Sequence, residues 1–194
     1  MRFDNSFDVP LLPAEAWALL MDIPRIAPCM PGAELTEIVD AQNYKGKIAV
    51  RLGPVALAFA GRVTFENVDA ANRTARVKAQ GSDARGRGAA NAATTFRIEP
   101  AGTGSKVLIH TELALSGAVA QYGRGAGMIE ATASQIIGQF ASNLRAQLTQ
   151  QTAKTAIAPA APRPPAKPIS GLSLLLRVIW SKLAALFGGG SVRL

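Results

Sequence analysis

The 194-residue chain has one cysteine, one histidine, two tryptophans and two tyrosines, and only 18% of its residues are charged. A single cysteine, Cys29, excludes an intramolecular disulfide and is read as a small buried hydrophobe rather than a nucleophile. The N-terminus, MRFDNSFDVP, has acidic residues where a signal peptide needs an unbroken apolar run, so export by that route is not expected. No apolar run is both long and charge-free enough to read as a confident membrane span. Acidic residues are missing from 152 to 194, which hold Lys154, Arg163, Lys167, Arg177, Lys182 and Arg193. The net charge of +8 therefore divides into +6 on this tail and +2 on residues 1–151. The tail's cations are interleaved with aliphatics and prolines rather than gathered on a polar, aromatic-bearing face, which argues against nucleic acid as a partner.

The apolar residues that are present follow clear periods. Phe3, Asn5, Phe7 and Val9 alternate with polar neighbours, predicting a half-buried first strand ended by Pro10. Pro13 opens a short helix with Trp17, Leu20 and Met21 on one side, and PRIAPCM adds a second helical turn closed by Pro31-Gly32. Tyr44 to Leu52, Val55 to Glu66, Ala75 to Ala79, Ala92 to Ile98 and Val107 to Leu115 each hold period two and predict antiparallel strands joined by short hairpins. GSDARGRG, residues 81–88, reads as a long glycine-rich loop. From Gly127 to Gln151, Ile129, Ala133, Ile136, Ile137, Phe140, Leu144 and Leu148 form one stripe of a long helix, whose only available partner is the sheet.

This order predicts an α+β domain in which a curved sheet of about seven strands grips the last helix. Small inward residues, Gly46, Gly61, Ala75, Ala79 and Ala92, face a helix carrying Ala133 and Gly138, which leaves either a pocket or a collapsed interior. The expected pocket residues are Tyr44, Ile48, Phe59, Val63, Phe65, Phe96, Ile109, Phe140 and Leu144. Charged strand residues are expected on the outer face together with His110. The inward phase then offers the Tyr44 phenol and the hydroxyls of Thr94 and Thr111, with no acid–base pair, no activated nucleophile and no metal-ligand set, and no catalytic role is expected. Gly123-Arg124-Gly125-Ala126-Gly127 lacks the spacing of a phosphate-binding turn and reads as a close-packed or mobile entry to the long helix. Arg85 and Arg87 read as solvated loop cations that could also meet a partner or a polar headgroup.

DIPRIAPCMPGAE, the Lys45-Gly46-Lys47 strand leading to Leu52-Gly53-Pro54-Val55, the following Phe59-Ala60-Gly61, the 81–88 loop and QFASNLRAQL together resemble CoxG, the G subunit of aerobic molybdenum carbon monoxide dehydrogenases, over about residues 1–151. The resemblance implies a helix-grip fold of the SRPBCC (START-like) superfamily, whose members hold hydrophobic ligands between sheet and helix. It implies a carbon monoxide dehydrogenase as partner, and through that a respiratory quinone, menaquinone or ubiquinone, as a non-covalent ligand. A membrane-recruiting adaptor without a ligand, and a small hydrolase or cyclase of the same superfamily, remain as alternatives.

Residues 152–168 read as a Pro/Ala-rich linker, with five prolines between 156 and 168 that favour an extended, semi-rigid spacer. Residues 169–194 read as an amphipathic tail. At helical spacing Ser170, Ser173, Arg177 and Ser181 share a face opposite Leu172, Leu175, Leu176, Ile179, Trp180, Leu183, Leu186 and Phe187. Nineteen helical residues reach ~28 Å, but Arg177 at the midpoint and Lys182 near it favour a helix lying in the cytoplasmic membrane interface over one that spans. A helix docked in a protein groove is the other reading.

Overall fold

The computed structural model describes residues 1–124 and 126–157. A seven-stranded, wholly antiparallel sheet runs in the order β1-β7-β6-β5-β4-β3-β2, from Arg2–Val9 (β1), Ala33–Ile38 (β2), Asn43–Leu52 (β3), Val55–Asp69 (β4), Thr74–Asp83 (β5), Gly88–Ala101 (β6) and Gly104–Gly117 (β7). Two short helices, Pro13–Met21 (α1) and Ile23–Ile26 (α2), lead through a 3₁₀ turn, Ala27–Cys29, into β2. A second 3₁₀ segment, Ala118–Arg124, precedes the long helix Ala126–Ile157 (α3). The helix-grip architecture expected from the periodicities is thus the one observed.

Three local readings differ from the structure. Alternation over Ala33–Ile38 makes a strand that the run of obvious apolar repeats did not single out, because this short edge strand carries Glu34 and Glu37 and buries little. Residues 81–88 are not a long loop. β5 continues to Asp83 and β6 begins at Gly88, so only a four-residue turn remains, held by Asp83. Asp83 also departs from the rule that strand charges face outward: it is 4% exposed and follows the inward phase of Val77, Ala79 and Gly81.

The curvature comes from glycine. Gly46 pairs with Gly61, Gly61 with Gly81, and Gly81 with Ala90, so one row across β3, β4, β5 and β6 has almost no side chains. A Cβ on Gly46 would lie 2.7 Å from the Glu34 carbonyl oxygen, and one on Gly61 would run into the Gln80 carbonyl oxygen and lie 2.6 Å from Gly81 Cα. The neighbouring backbone occupies the space a side chain would need, so only glycine fits, and a row without side chains leaves the sheet free to curve across it. At the β3–β4 hairpin Gly53 takes φ 58°, the positive value that two-residue primed turns require.

The core is divided. One cluster joins β1, α1 and the far half of α3 through Phe7, Val9, Leu19, Leu20, Cys29, Phe140 and Leu144. A second gathers Tyr44, Phe65 and Ala75 under Trp17, and a third packs Leu52, Leu57 and Val119 against Ile129 near the start of α3. α3 is consequently clamped at Ile129 and again from Ile137 to Leu148, with the stretch between resting on neither cluster.

Candidate functional site

Beneath that unsupported stretch lies a cavity of about 620 Å³. Its volume is in the range of small-molecule sites, ~300–1,000 Å³, and it is far larger than the water-sized voids of a dense interior. The roof is Thr132, Ala133, Ile136, Ile137 and Phe140 of α3, and the floor is the concave face of the sheet. Ala79 and Ala92 stand opposite each other across β5 and β6, and with the glycine row they account for the missing side-chain volume.

Of the residues expected in a pocket, Tyr44, Ile48, Phe59, Val63, Phe65, Phe96, Ile109 and Phe140 are on this wall. Ile48 faces Phe59 across β3 and β4, Tyr44 faces Val63, and Phe96 faces Ile109 across β6 and β7. Tyr44 and Phe65 close one end edge-to-face at 6.2 Å, and Trp17 lies 5.9 Å from Phe96. Leu144 is not on the wall. It lies one helical turn beyond Phe140, where α1 and the Cys29 turn already cover α3, and it is 1% exposed in the packed cluster. Ala75 likewise belongs to a filled cluster, and Gly138 is on the exposed side of the helix. The residues expected to meet the membrane, Leu172, Leu175, Leu176, Arg177, Ile179, Trp180, Lys182, Leu183, Leu186 and Phe187, lie outside the described residues, as does the expected linker from 158 on, whereas its first residues, 152–157, continue the helix α3 instead of forming an extended spacer.

Polar groups on the wall are few and uncharged. The Tyr44 hydroxyl donates to the Ala41 carbonyl at 2.9 Å, which turns it away from bond-making inside. The Thr94 and Thr111 hydroxyls meet at 3.3 Å, and Thr132 Oγ1 donates to the Met128 carbonyl at 2.8 Å. Asn5, a polar residue in the inward phase of β1 that apolar periodicity alone does not mark, also lines the cavity and accepts a 2.8 Å hydrogen bond from Ser134 Oγ of α3. Glu34, Lys45, Lys47, Arg62 and Gln80 border the cavity as chain neighbours of small residues, but alternation sends their side chains to the outer face. There Lys45 Nζ meets Glu37 Oε2 at 2.9 Å.

The remaining titratable groups serve the frame. Cys29 Sγ donates to Gln147 Oε1 at 2.7 Å, and burial pushes its thiol pKa up, the opposite of what a reactive thiolate needs. His110 is on the outer face, with Nδ1 2.7 Å from Asp4 Oδ1. Asp83 accepts from Arg87 Nε and Nη2 at 2.8 Å each, and Arg87 Nη2 also donates to the Ala56 carbonyl at 3.0 Å, pinning the β5–β6 turn to β4. The Arg87 guanidinium, assisted by backbone N–H donors of Arg87, Arg85 and Ala58, holds the Asp83 carboxyl well below the usual carboxylate range. Arg87 is therefore a structural cation, whereas sequence reading left it solvated. Among the described residues no group of three or more His, Cys, Asp or Glu side chains could hold a metal ion, and no helix is long and apolar enough to cross a membrane.

A family model for CoxG, the G subunit of carbon monoxide dehydrogenase, matches residues 6–149. No curated protein matches the sequence. Solved structures with the same SRPBCC-type fold include a conserved protein from Geobacillus kaustophilus, at 17% identity and TM-score 0.67, covering 78% of this chain and 97% of that one. A Thermus thermophilus protein shares 13% identity at TM-score 0.54, over 76% of this chain and 99% of its own. The ZhuI aromatase/cyclase from Streptomyces shares 12% identity at TM-score 0.55, over 78% and 95%. At such identities these neighbours speak for the fold and not for an activity.

Proposed function

The chain belongs to the CoxG family, the G subunits of carbon monoxide dehydrogenase, and from that premise we propose that it carries a respiratory quinone, menaquinone or ubiquinone, for a carbon monoxide dehydrogenase at the cytoplasmic face of the membrane. The observation that carries this reading is the cavity of about 620 Å³ with its aliphatic and aromatic wall. An apolar guest there would replace water against Ile48, Phe59, Val63, Phe96 and Ile109, and each buried CH₂ contributes about 0.8 kcal/mol. The wall would take a quinone head group and the first units of its chain, with the remainder leaving through an opening. A soluble dehydrogenase and a lipid-soluble electron acceptor are in different phases, and a carrier with an apolar interior joins them. Uncharged polar groups on the wall suit holding a guest and offer no general acid or base for turning it over.

The tail completes the proposal from sequence. Its basic residues and broad apolar face suit attachment at an anionic membrane surface, which would place the carrier where quinone resides. The test is organic extraction of the full chain purified from a quinone-producing host, followed by mass spectrometry. A quinone recovered in near-equal molar amount is the expected result, and its absence overturns the ligand assignment. Deleting residues 158–194 should abolish sedimentation with anionic vesicles and leave quinone binding intact. A protein that only recruits the dehydrogenase would have no ligand to retain.

A further inference from the structure

The inner face of β1 brings one residue whose chemistry the apolar wall does not explain. Asn5 follows the phase of Phe3, Phe7 and Val9, and its Oδ1 is occupied by Ser134 Oγ, leaving both N–H donors of its amide unspent. Register puts Asn5 opposite Ile109 and Phe3 opposite Thr111, so Asn5 and Thr111 are diagonal neighbours on the cavity face of β1 and β7. Thr111 is directly opposite Thr94 of β6. In the Thr94–Thr111 pair one hydroxyl donates to the other, which leaves one O–H without a partner. A half-buried patch with three spare donors therefore interrupts a wall that is otherwise hydrocarbon.

We infer that the row Asn5–Thr111–Thr94 is a recognition point for a neutral carbonyl oxygen, and that it fixes which end of the ligand lies under α3. This rests on the carrier reading above and adds to it the position and chemistry of the ligand's polar group. Diagonal neighbours on paired strands are within reach of each other's side chains, so one oxygen lying between the Asn5 amide and the threonine pair can accept a hydrogen bond from each. The spare groups are mainly donors, which selects an acceptor over a hydroxyl that must itself donate. They are also uncharged. A carboxylate brought here would lose its hydration without meeting a cation, so a ketone or quinone is preferred over a fatty acid of the same length. Tyr44, with its hydroxyl already spent on Ala41, marks the opposite, purely apolar end.

The experiment compares two probes on the full chain: a naphthoquinone carrying a short isoprenoid chain, and the naphthalene with the same chain and no oxygens. Affinity is measured by equilibrium dialysis for the wild type, the shape-matched T94V/T111V pair and Asn5→Leu. Quinone affinity should fall about tenfold in each variant while naphthalene affinity holds or rises. Equal loss for both probes, or no loss for the quinone, overturns the inference and leaves the carrier reading standing. A wild type that binds neither probe removes the carrier reading and the recognition point with it. Infrared spectra of bound ¹³C-carbonyl quinone test the wild type without any variant: a C=O band shifted down from its position in hydrocarbon is expected, and an unshifted band overturns the inference.

Discussion

Ala75 and Ala79 are four residues apart on the same face of β5, yet one is fully enclosed at 0% exposure in the Tyr44–Phe65 cluster and the other lines the cavity. The same substitution at the two positions should therefore have opposite signs. Ala→Leu adds three carbons, worth up to about 2.4 kcal/mol if they are buried in previously vacant apolar space. Fixing the longer side chain costs roughly 0.5–1 kcal/mol, so Ala79→Leu should stabilise the ligand-free protein by about 1.5 kcal/mol. At Ala75 the added carbons have nowhere to go, and overpacking costs about 1–3 kcal/mol. Urea unfolding of delipidated protein, followed by circular dichroism and tryptophan fluorescence, should place the two midpoints more than about 1 M apart with Ala79→Leu the higher. The filled variant should also carry less quinone. If Ala79→Leu destabilises as Ala75→Leu does, the floor is already dense and the hollow does not exist in solution.

Gly61→Ala should fail to give a cooperatively folding protein, because the new methyl collides with the β5 backbone rather than with a side chain that can move; a normal thermal transition would refute the account of the bend. Asp83→Asn should unfold at lower urea at pH 7, with a pH signature fixed by the lowered carboxyl pKa. The ion pair contributes fully above the unfolded-chain value of about 3.9 and is lost as pH falls toward the folded value, so the gap between wild type and variant should be constant above about pH 5 and narrow below about pH 4. A gap that widens in acid would reverse the assignment. Iodoacetamide at pH 8 should modify Cys29 far more slowly in native than in urea-unfolded protein, because burial raises its pKa and Gln147 covers the sulfur; equal rates would place the thiol at the surface.

Much of this was legible in the chain because sheet and helix faces obey fixed periods. Period two alone puts Ile48, Phe59, Val63, Phe96 and Ile109 on one surface, and the three- and four-residue spacing gives α3 the apolar stripe that roofs it. What periodicity cannot give is position along an element. Phe140 and Leu144 belong to one stripe, but α1 covers the second and leaves the first facing the cavity. Glycine misled for a related reason: Gly81 and Gly88 look like loop formers, whereas both are strand residues, and Gly88 is there because a Cβ would run into the Ser116 carbonyl oxygen of β7. Asn5 was visible in the apolar phase of β1 but could not be tied to Thr111 until the register set β1 beside β7. Asp83 gave no signal of burial, since its counter-ion, Arg87, lies across a turn that the sequence made appear long.

Because α3 is held at Ile129 and again from Ile137 to Leu148, the two turns between lie across the cavity like a plank on two trestles. Filling the space beneath it adds contacts where the helix has few and takes none from the clusters on either side.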